Sequence, residues 1–507
     1  MQTNTVKKEK RFTKKEWSWI MYDWANSVYA TNIMAAIFPT IFVAYAGEAG
    51  DIWWGYATSI ATFLIAVLAP FLGALGDYKG MKKKLFSLSV GLGVIFTALI
   101  GFTNDWRIML IGYVLSHIGF SASCLFYDSF LTDVTTDERM DKVFSWGYAM
   151  GYIGGSTIPF LISIAMLLIL GYESAVAQKF SILITSVWWA FFSIPFFKNV
   201  QQEHYLEKEH RLSVKETLGN IGKTARDLFS YKGLFLFTIA YFCYIDGVGT
   251  IISVSTAYGT SLGLGTVGMI LALLVTQIVA MPCSILFSRL AAKISARKAL
   301  IGAIAIYIGI CIVGFYMGFS LEPHQKAYED ALQTEFTEVI ALEEGDKEGN
   351  ELAEKCKEAF RAEDPAAALS LLRSENEGEN AILNASEAFH EKNHQLAIQL
   401  NKAVSFSTIL FWGMAVLVGT VQGGIQAVSR SYFGKLIPKE RSNEFFGFFD
   451  IFGKFASVLG PFLYSTIAAW TGRSSYGVLC LIALFLVGLC ILVFGRKHLD
   501  NHEVIKA

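Results

Sequence analysis

Twelve mostly apolar stretches of roughly 20 residues or more run through this 507-residue chain, about the length a hydrocarbon core of about 30 Å demands of a helix. They cover approximately 18–45, 53–75, 85–103, 107–130, 145–170 and 178–197, then 233–258, 264–288, 299–319, 404–428, 444–470 and 476–495. Inside a bilayer no water satisfies backbone polar groups, so segments of this kind fold as helices that bond internally. The expected fold class is therefore an all-α membrane protein. The first run follows Lys7, Lys8, Lys10, Arg11, Lys14 and Lys15. It is too long for a signal peptide and lacks a small-residue cleavage site, which predicts a retained first span. Lys and Arg also gather around Lys82, around Arg297, over 435–441 and at Arg496 and Lys497. With twelve spans these positions share one side, and the positive-inside rule makes that side, with both termini, cytoplasmic.

A second feature divides the chain in two. Residues 73–85 read G-A-L-G-D-Y-K-G-M-K-K-K-L, a tight basic turn between the second and third runs. At an offset of 215, residues 288–300 read S-R-L-A-A-K-I-S-A-R-K-A-L, with Leu75 over Leu290, Lys82 over Arg297, Lys83 over Lys298 and Leu85 over Leu300. Asp77 falls on Ala292. Further on, Tyr127-Asp128-Ser129-Phe130 aligns with Ser429-Arg430-Ser431-Tyr432, and Thr136-Asp137-Glu138-Arg139 with Pro438-Lys439-Glu440-Arg441, at an offset of 302. A duplicated six-span unit follows, with an insertion in the second copy. The predicted boundaries are a first six-helix bundle over 1–197, a cytoplasmic linker over 198–232, and a second bundle over 233–498.

The insertion, 321–403, holds 19 acidic and 8 basic residues, so the rest of the chain carries about +10 against an overall net charge of −1. Tyr328, Leu332, Phe336 and Ile340 recur every four positions and 365–372 begins another helical run, which predicts a small α-helical module. Between spans nine and ten it belongs outside, where its acidity agrees with the charge rule. A solvated cap and a protein-binding module are both open to it. Cys356 is the one cysteine in a polar segment, so no internal disulfide framework is expected there.

The basic turn resembles the signature between spans two and three of the major facilitator superfamily, with its weaker echo between spans eight and nine. The resemblance implies six plus six helices, a central substrate cavity and alternating access. Tyr22-Asp23-Trp24-Ala25-Asn26-Ser27 and Phe38-Pro39 in span one, Tyr244-Ile245-Asp246-Gly247 in span seven, 423–431 (G-G-I-Q-A-V-S-R-S) in span ten, Phe445-Phe446-Gly447 and Gly460-Pro461 narrow it further. These are similar to the vacuole-effluxer family of autophagy-related protein 22, whose fungal members are implied to release amino acids from the vacuole. Two departures stand out: Asp128 occupies a position where the family pattern has asparagine, and the acidic insertion is not a general family feature.

Charged residues within spans cost at least about 2.5–3.5 kcal/mol on insertion scales, so they face cavities or partners. Asp246 lies about 13 residues into span seven, near the midplane, and is expected to bind a substrate amine or a coupling proton; a structural ion pair is the alternative. Asp23, Asn26, Tyr244 and Gln426 complete the expected substrate or proton site. The expected gating set is Gly73, Asp77, Gly80, Lys82, Lys83, Asp128, Arg430, Asp450 and Lys454. In the turn, glycines allow the reversal and lysines are expected to stay at the cytoplasmic face. Asp77 is expected to meet a helix N-terminus or an arginine of the other half. Asp128 and Arg430, opposite in charge at matched positions, are expected to approach each other, or the region of Asp23 and Asp450, when the inner side closes, and Asp450 and Lys454 are spaced to pair along one helix.

There is no nucleotide-binding loop and no metal-spaced cluster, so neither enzymatic chemistry, nor a cofactor, nor a nucleic-acid partner is expected. The functional expectation is a secondary active exporter of amino acids or similar small polar metabolites, with a proton as possible driving ion, embedded in a bilayer. The resemblance implies a bacterial inner membrane, or the vacuolar membrane in a fungal source. A non-transporting receptor or scaffold that uses the insertion, and a carrier of drug-like or lipid-like compounds, are the alternatives.

Overall fold

The computed structural model describes residues 11–499 apart from 47–49, 156, 172–173, 208–225, 227–228, 337–346, 361–363 and 376–380. Eleven of its helices are long and apolar enough to cross a membrane, and a further helix, Ser442–Thr471, occupies the place of the expected eleventh span. Span one runs through Lys14–Val28, a π-helical segment Tyr29–Ala36 and Ile37–Ala46. The π turn, in which Ile37 N donates to Asn32 O, precedes Pro39, whose missing N–H interrupts the α ladder. Spans two to four are Gly50–Gly76, Met81–Phe102 and Trp106–Val134. Span five joins Asp137–Gly154 to Ile158–Leu170, and span six is Ala175–Asn199. Spans seven to nine are Lys232–Ser261, Thr266–Ile294 and Ala296–Ala331; span ten is Ala381–Leu436 and span twelve Ser474–Phe494.

Two separate apolar cores form, as a duplicated bundle requires. One gathers Trp19, Tyr22, Phe86, Phe126, Phe144 and Trp189 from spans one to six; the other gathers Tyr244, Tyr307, Ile425, Phe449 and Phe485 from spans seven to twelve. Outward-facing positions remain apolar, with Leu88, Leu168, Phe191, Ile409 and Phe494 exposed, which is the arrangement of helices solvated by lipid rather than water. Close approach of the halves depends on small residues. A Cβ on Gly73 would lie 2.6 Å from Asn443 O, so span two meets span eleven only because that side chain is absent.

The insertion is helical where it is described. Span ten has 56 residues, about 84 Å at 1.5 Å per residue, and extends far beyond any hydrocarbon core. Its outer part packs with the extension of span nine and with helices Lys347–Phe360 and Pro365–Glu375. Tyr328, Leu352, Cys356, Phe360, Leu369, Leu383 and Phe389 form a third core of their own. Ile340 and the middle of the predicted linker, 208–225, lie outside the described residues.

Candidate functional site

Hydrogen bonds and ion pairs between the halves gather at the end of the molecule that carries the basic turn. Gly80 ends that turn with φ 72°, a left-handed conformation that suits glycine, and starts span three. Asp77 precedes it and is 1% exposed. Its Oδ1 accepts from Asn443 N at 2.9 Å and Asn443 Nδ2 at 2.7 Å, and its Oδ2 accepts from Glu444 N at 3.0 Å. Asn443 and Glu444 begin span eleven, so the carboxylate of one half caps a helix of the other and meets the positive end of its dipole. Burial pushes the Asp77 carboxyl up to about 7, while Lys82 and the Asn443 donors pull it down.

Lys82 corrects the expectation that the turn's lysines stay at the surface. It is fully buried, and its Nζ donates to Asp133 Oδ2 at 2.6 Å, to Ser442 Oγ at 3.1 Å and to Ser129 O at 3.4 Å. Burial is tolerated because a paired carboxylate and two further acceptors replace its water. Asp133 was not singled out from the sequence; the available signal was an acid at the end of span four, five residues after Asp128. Its Oδ1 accepts from Glu203 N at 2.9 Å and His204 N at 2.8 Å, which binds the start of the linker to the first half. Leu206 N donates to Asp77 O at 2.8 Å, and Lys83 Nζ donates to Val200 O at 2.8 Å, so residues 200–206 form a strap across the basic turn.

The remaining cross-half contacts obey the internal repeat. Arg430 Nε donates to Asp128 Oδ2 at 3.0 Å, and Lys439 pairs with Asp137 at 3.1 Å. In each pair the two residues stand at equivalent positions, 302 apart, so each pair straddles the pseudo-twofold axis. Ser129 Oγ donates to Asn443 Oδ1, and its counterpart Ser431 Oγ donates to Asp141 Oδ1. Position 141 is the equivalent of 443, so one contact is the symmetry image of the other. Lys435 adds a 2.7 Å pair to Asp141.

Asp128 and Arg430 also line a cavity of about 290 Å³ between the halves, together with Tyr241, Ile245, Gln426 and Asp450. Arg430 Nη1 is buried there with no hydrogen-bond partner, whereas Gln426 Oε1 accepts from Tyr148 OH across the halves at 3.4 Å. Asp23 is half-buried and near enough for its charge to act on Asp128 and Arg430. The side chain of Lys454 lies outside the described residues.

Three expected site residues stay inside their own halves. Asn26 Nδ2 donates to Cys124 Sγ at 3.5 Å, and Tyr244 OH shares a 2.6 Å hydrogen bond with Ser429 Oγ. Asp246 is fully buried in span seven; its Oδ1 accepts from Gly460 N at 2.9 Å, and its Oδ2 has no hydrogen-bond partner. Among the described residues no group of three or more His, Cys, Asp or Glu side chains is placed to hold a metal ion.

Two homologous bundles, a polar cavity between them and a tied end define a transporter of the major facilitator type. Solved structures agree on the fold. A bacterial homologue of the iron transporter ferroportin in an outward-facing state superposes with TM-score 0.58 at 12% identity, over 96% of this chain and 98% of that one. The proton:xylose symporter XylE superposes with TM-score 0.55 at 10% identity, over 96% and 94%. The family profile described as vacuole effluxer Atg22 like matches residues 52–326 and 403–498. The uncharacterized MFS-type transporter YxiO of Bacillus subtilis is 38% identical over 498 residues, 96% of this chain and 95% of the relative. Autophagy-related protein 22 of Eremothecium gossypii is 38% identical over 91 residues, 18% of each chain. The chain belongs to the vacuole effluxer Atg22-like family. The segment that the profile passes over, 327–402, falls within the predicted insertion.

Proposed function

We propose that this transporter exports amino acids or closely related small zwitterions in exchange for protons, by alternating access of the inter-half cavity. The observation that carries the reading is the charge content of that cavity: one guanidinium with a free donor, Arg430 Nη1, faces a space also lined by Asp128, Asp450 and Gln426. A substrate carboxylate fits Arg430, and its ammonium fits Asp450, an arrangement suited to a molecule with both charges. The volume, about 290 Å³, lies at the lower end of the roughly 300–1,000 Å³ range of small-molecule pockets and accommodates a small solute.

A proton and an ammonium exclude each other at one carboxylate, which is the condition for exchange rather than co-transport. Asp246 Oδ2, buried without a donor, is the second acceptor position proposed for the coupling proton, and its Oδ1 contact with Gly460 links it to movement of span eleven. The basic-turn end is read as cytoplasmic because Lys and Arg concentrate there, and the insertion as external. In this reading the Asp77, Lys82, Asp128 and Arg430 contacts, with Gly73 and Gly80 permitting them, are the closed inner gate.

Proteoliposome counterflow with labelled amino acids and other metabolites, at two pH values, tests the reading. Amino-acid flux that loses its proton dependence in Asp246→Asn is expected. Folded protein that moves none of the compounds, or moves only cations or apolar compounds, overturns it.

A further inference from the structure

A second polar pocket lies outside the transport pathway, on the rim of the first half. It occupies about 730 Å³ between the basic turn and the strap that follows span six. Lys79, Lys83, Lys84, Ser87, Gln202 and Tyr205 line it, three cations and three neutral hydrogen-bonding groups. Lys79 is held over the Tyr205 ring at 5.0 Å and pairs loosely with Glu207 at 3.4 Å; Lys83 is spent on Val200 O. Lys84 is exposed and has no partner among the described residues. Like charges at this density repel one another, and among the described residues no buried acid within the pocket compensates them, in contrast to Lys82 on the same helix.

The surroundings decide which anion suits it. Leu88 lies one helical turn after Lys84 and is 68% exposed, and Ile95 and Phe102 continue the same exposed apolar run along span three. On span six, packed against it, Val187, Phe191 and Ile194 are also exposed. A molecule with a phosphate at one end and acyl chains at the other matches a lysine pocket set directly above an apolar, bilayer-facing track. We propose that this pocket binds the headgroup phosphate of an anionic phospholipid, with its chains along spans three and six. Basic pockets between membrane helices recognise such headgroups through the same short-range attraction. The bound phosphate would sit between Lys79 and Lys84, beside the gate but without entering it.

The test uses the full chain in detergent and in nanodiscs. Retention of phosphatidylglycerol against phosphatidylcholine is read by native mass spectrometry for wild type, Lys79→Gln/Lys84→Gln and Lys84→Arg. Wild type is expected to prefer phosphatidylglycerol, the double variant to lose roughly 30-fold in relative affinity, about fivefold per lysine, and Lys84→Arg to keep the preference. Both lysines are exposed, so the lipid-free melting temperature should not move, which separates lost binding from misfolding. Equal retention by the double variant overturns the proposal. Competition by inorganic phosphate as effective as that by the lipid also overturns it, and assigns the pocket to a soluble phosphate.

Discussion

Asp77 and Asn443 join the two halves through one carboxylate oxygen, which accepts both the main-chain and the side-chain N–H of the asparagine, at 2.9 Å and 2.7 Å. The contact exists once only. At the equivalent place in the second half stands Ala292, whose side chain has no acceptor to offer, so this tie between the halves has no symmetry-related copy.

Replacing Asp77 by alanine removes three hydrogen bonds across the halves. At roughly 0.5–1.5 kcal/mol each, the ratio of closed to open inner gate should fall at least tenfold. Spin-label distances between the ends of spans two and eleven measure it. An unchanged distance distribution would remove Asp77 from the gate.

The same carboxyl is expected to make this contact between the halves sensitive to pH. In the closed arrangement burial raises it to about 7, while an exposed aspartate titrates near 3.9. The closed form therefore holds the proton more tightly. This contribution to closure is complete below about pH 4 and is lost as pH rises through about 7. Lys82 and Glu444 are the charged groups acting on it, with opposite signs. Spin-label distances taken from pH 5 to pH 8 should show the closed fraction falling, and Asp77→Asn should flatten that slope.

Asp128→Ala or Arg430→Ala should each lower kcat/KM at least tenfold, because each leaves a largely desolvated charge without its 3.0 Å partner. The exchanged pair, Asp128→Arg with Arg430→Asp, should recover part of the loss. Flux assays on the four proteins decide it: no loss in the single variants, or no recovery in the exchange, contradicts a gating pair.

The insertion has a core separate from both bundles, and the family profile passes over most of it. A chain with 327–402 replaced by a short Gly/Ser linker should keep its flux; loss of flux in a folded protein would make the insertion part of the transport machinery. Within the intact protein, Cys356 is fully buried and burial pushes its thiol up. A variant with this cysteine alone should resist maleimide until the insertion unfolds, which provides a separate reading of that module's folding.

Most of the architecture was legible because bilayer helices announce themselves by length and apolarity, and because two repeat offsets, 215 and 302, locate the insertion. The pairing of Asp128 with Arg430 was legible for a different reason: opposite charges at matched positions stand out in an alignment of the chain with itself. Asp133 was not, since its partners come from Lys82 in span three and from Glu203 and His204 at the start of the linker, a convergence that no spacing records. Lys82 misled for the complementary reason. A lysine in a basic run reads as solvated until the acid that shelters it is known. Asp246 was recognised as a buried acid, but sequence periodicity did not tell which way it faces; it turns to Gly460 rather than to the cavity between the halves.

The pairs Asp128–Arg430 and Lys439–Asp137 join residues that a twofold rotation would exchange. Two identical halves would have set like beside like at both places, aspartate against aspartate, or arginine against arginine at the first and lysine against lysine at the second. Such pairs repel, so neither bridge could have belonged to a symmetric dimer of a six-helix ancestor. They are products of divergence after fusion, and they make the present halves complementary to each other while each is ill-suited to a copy of itself. The serine contacts, Ser129 with Asn443 and Ser431 with Asp141, carry no such restriction and are compatible with a symmetric joint.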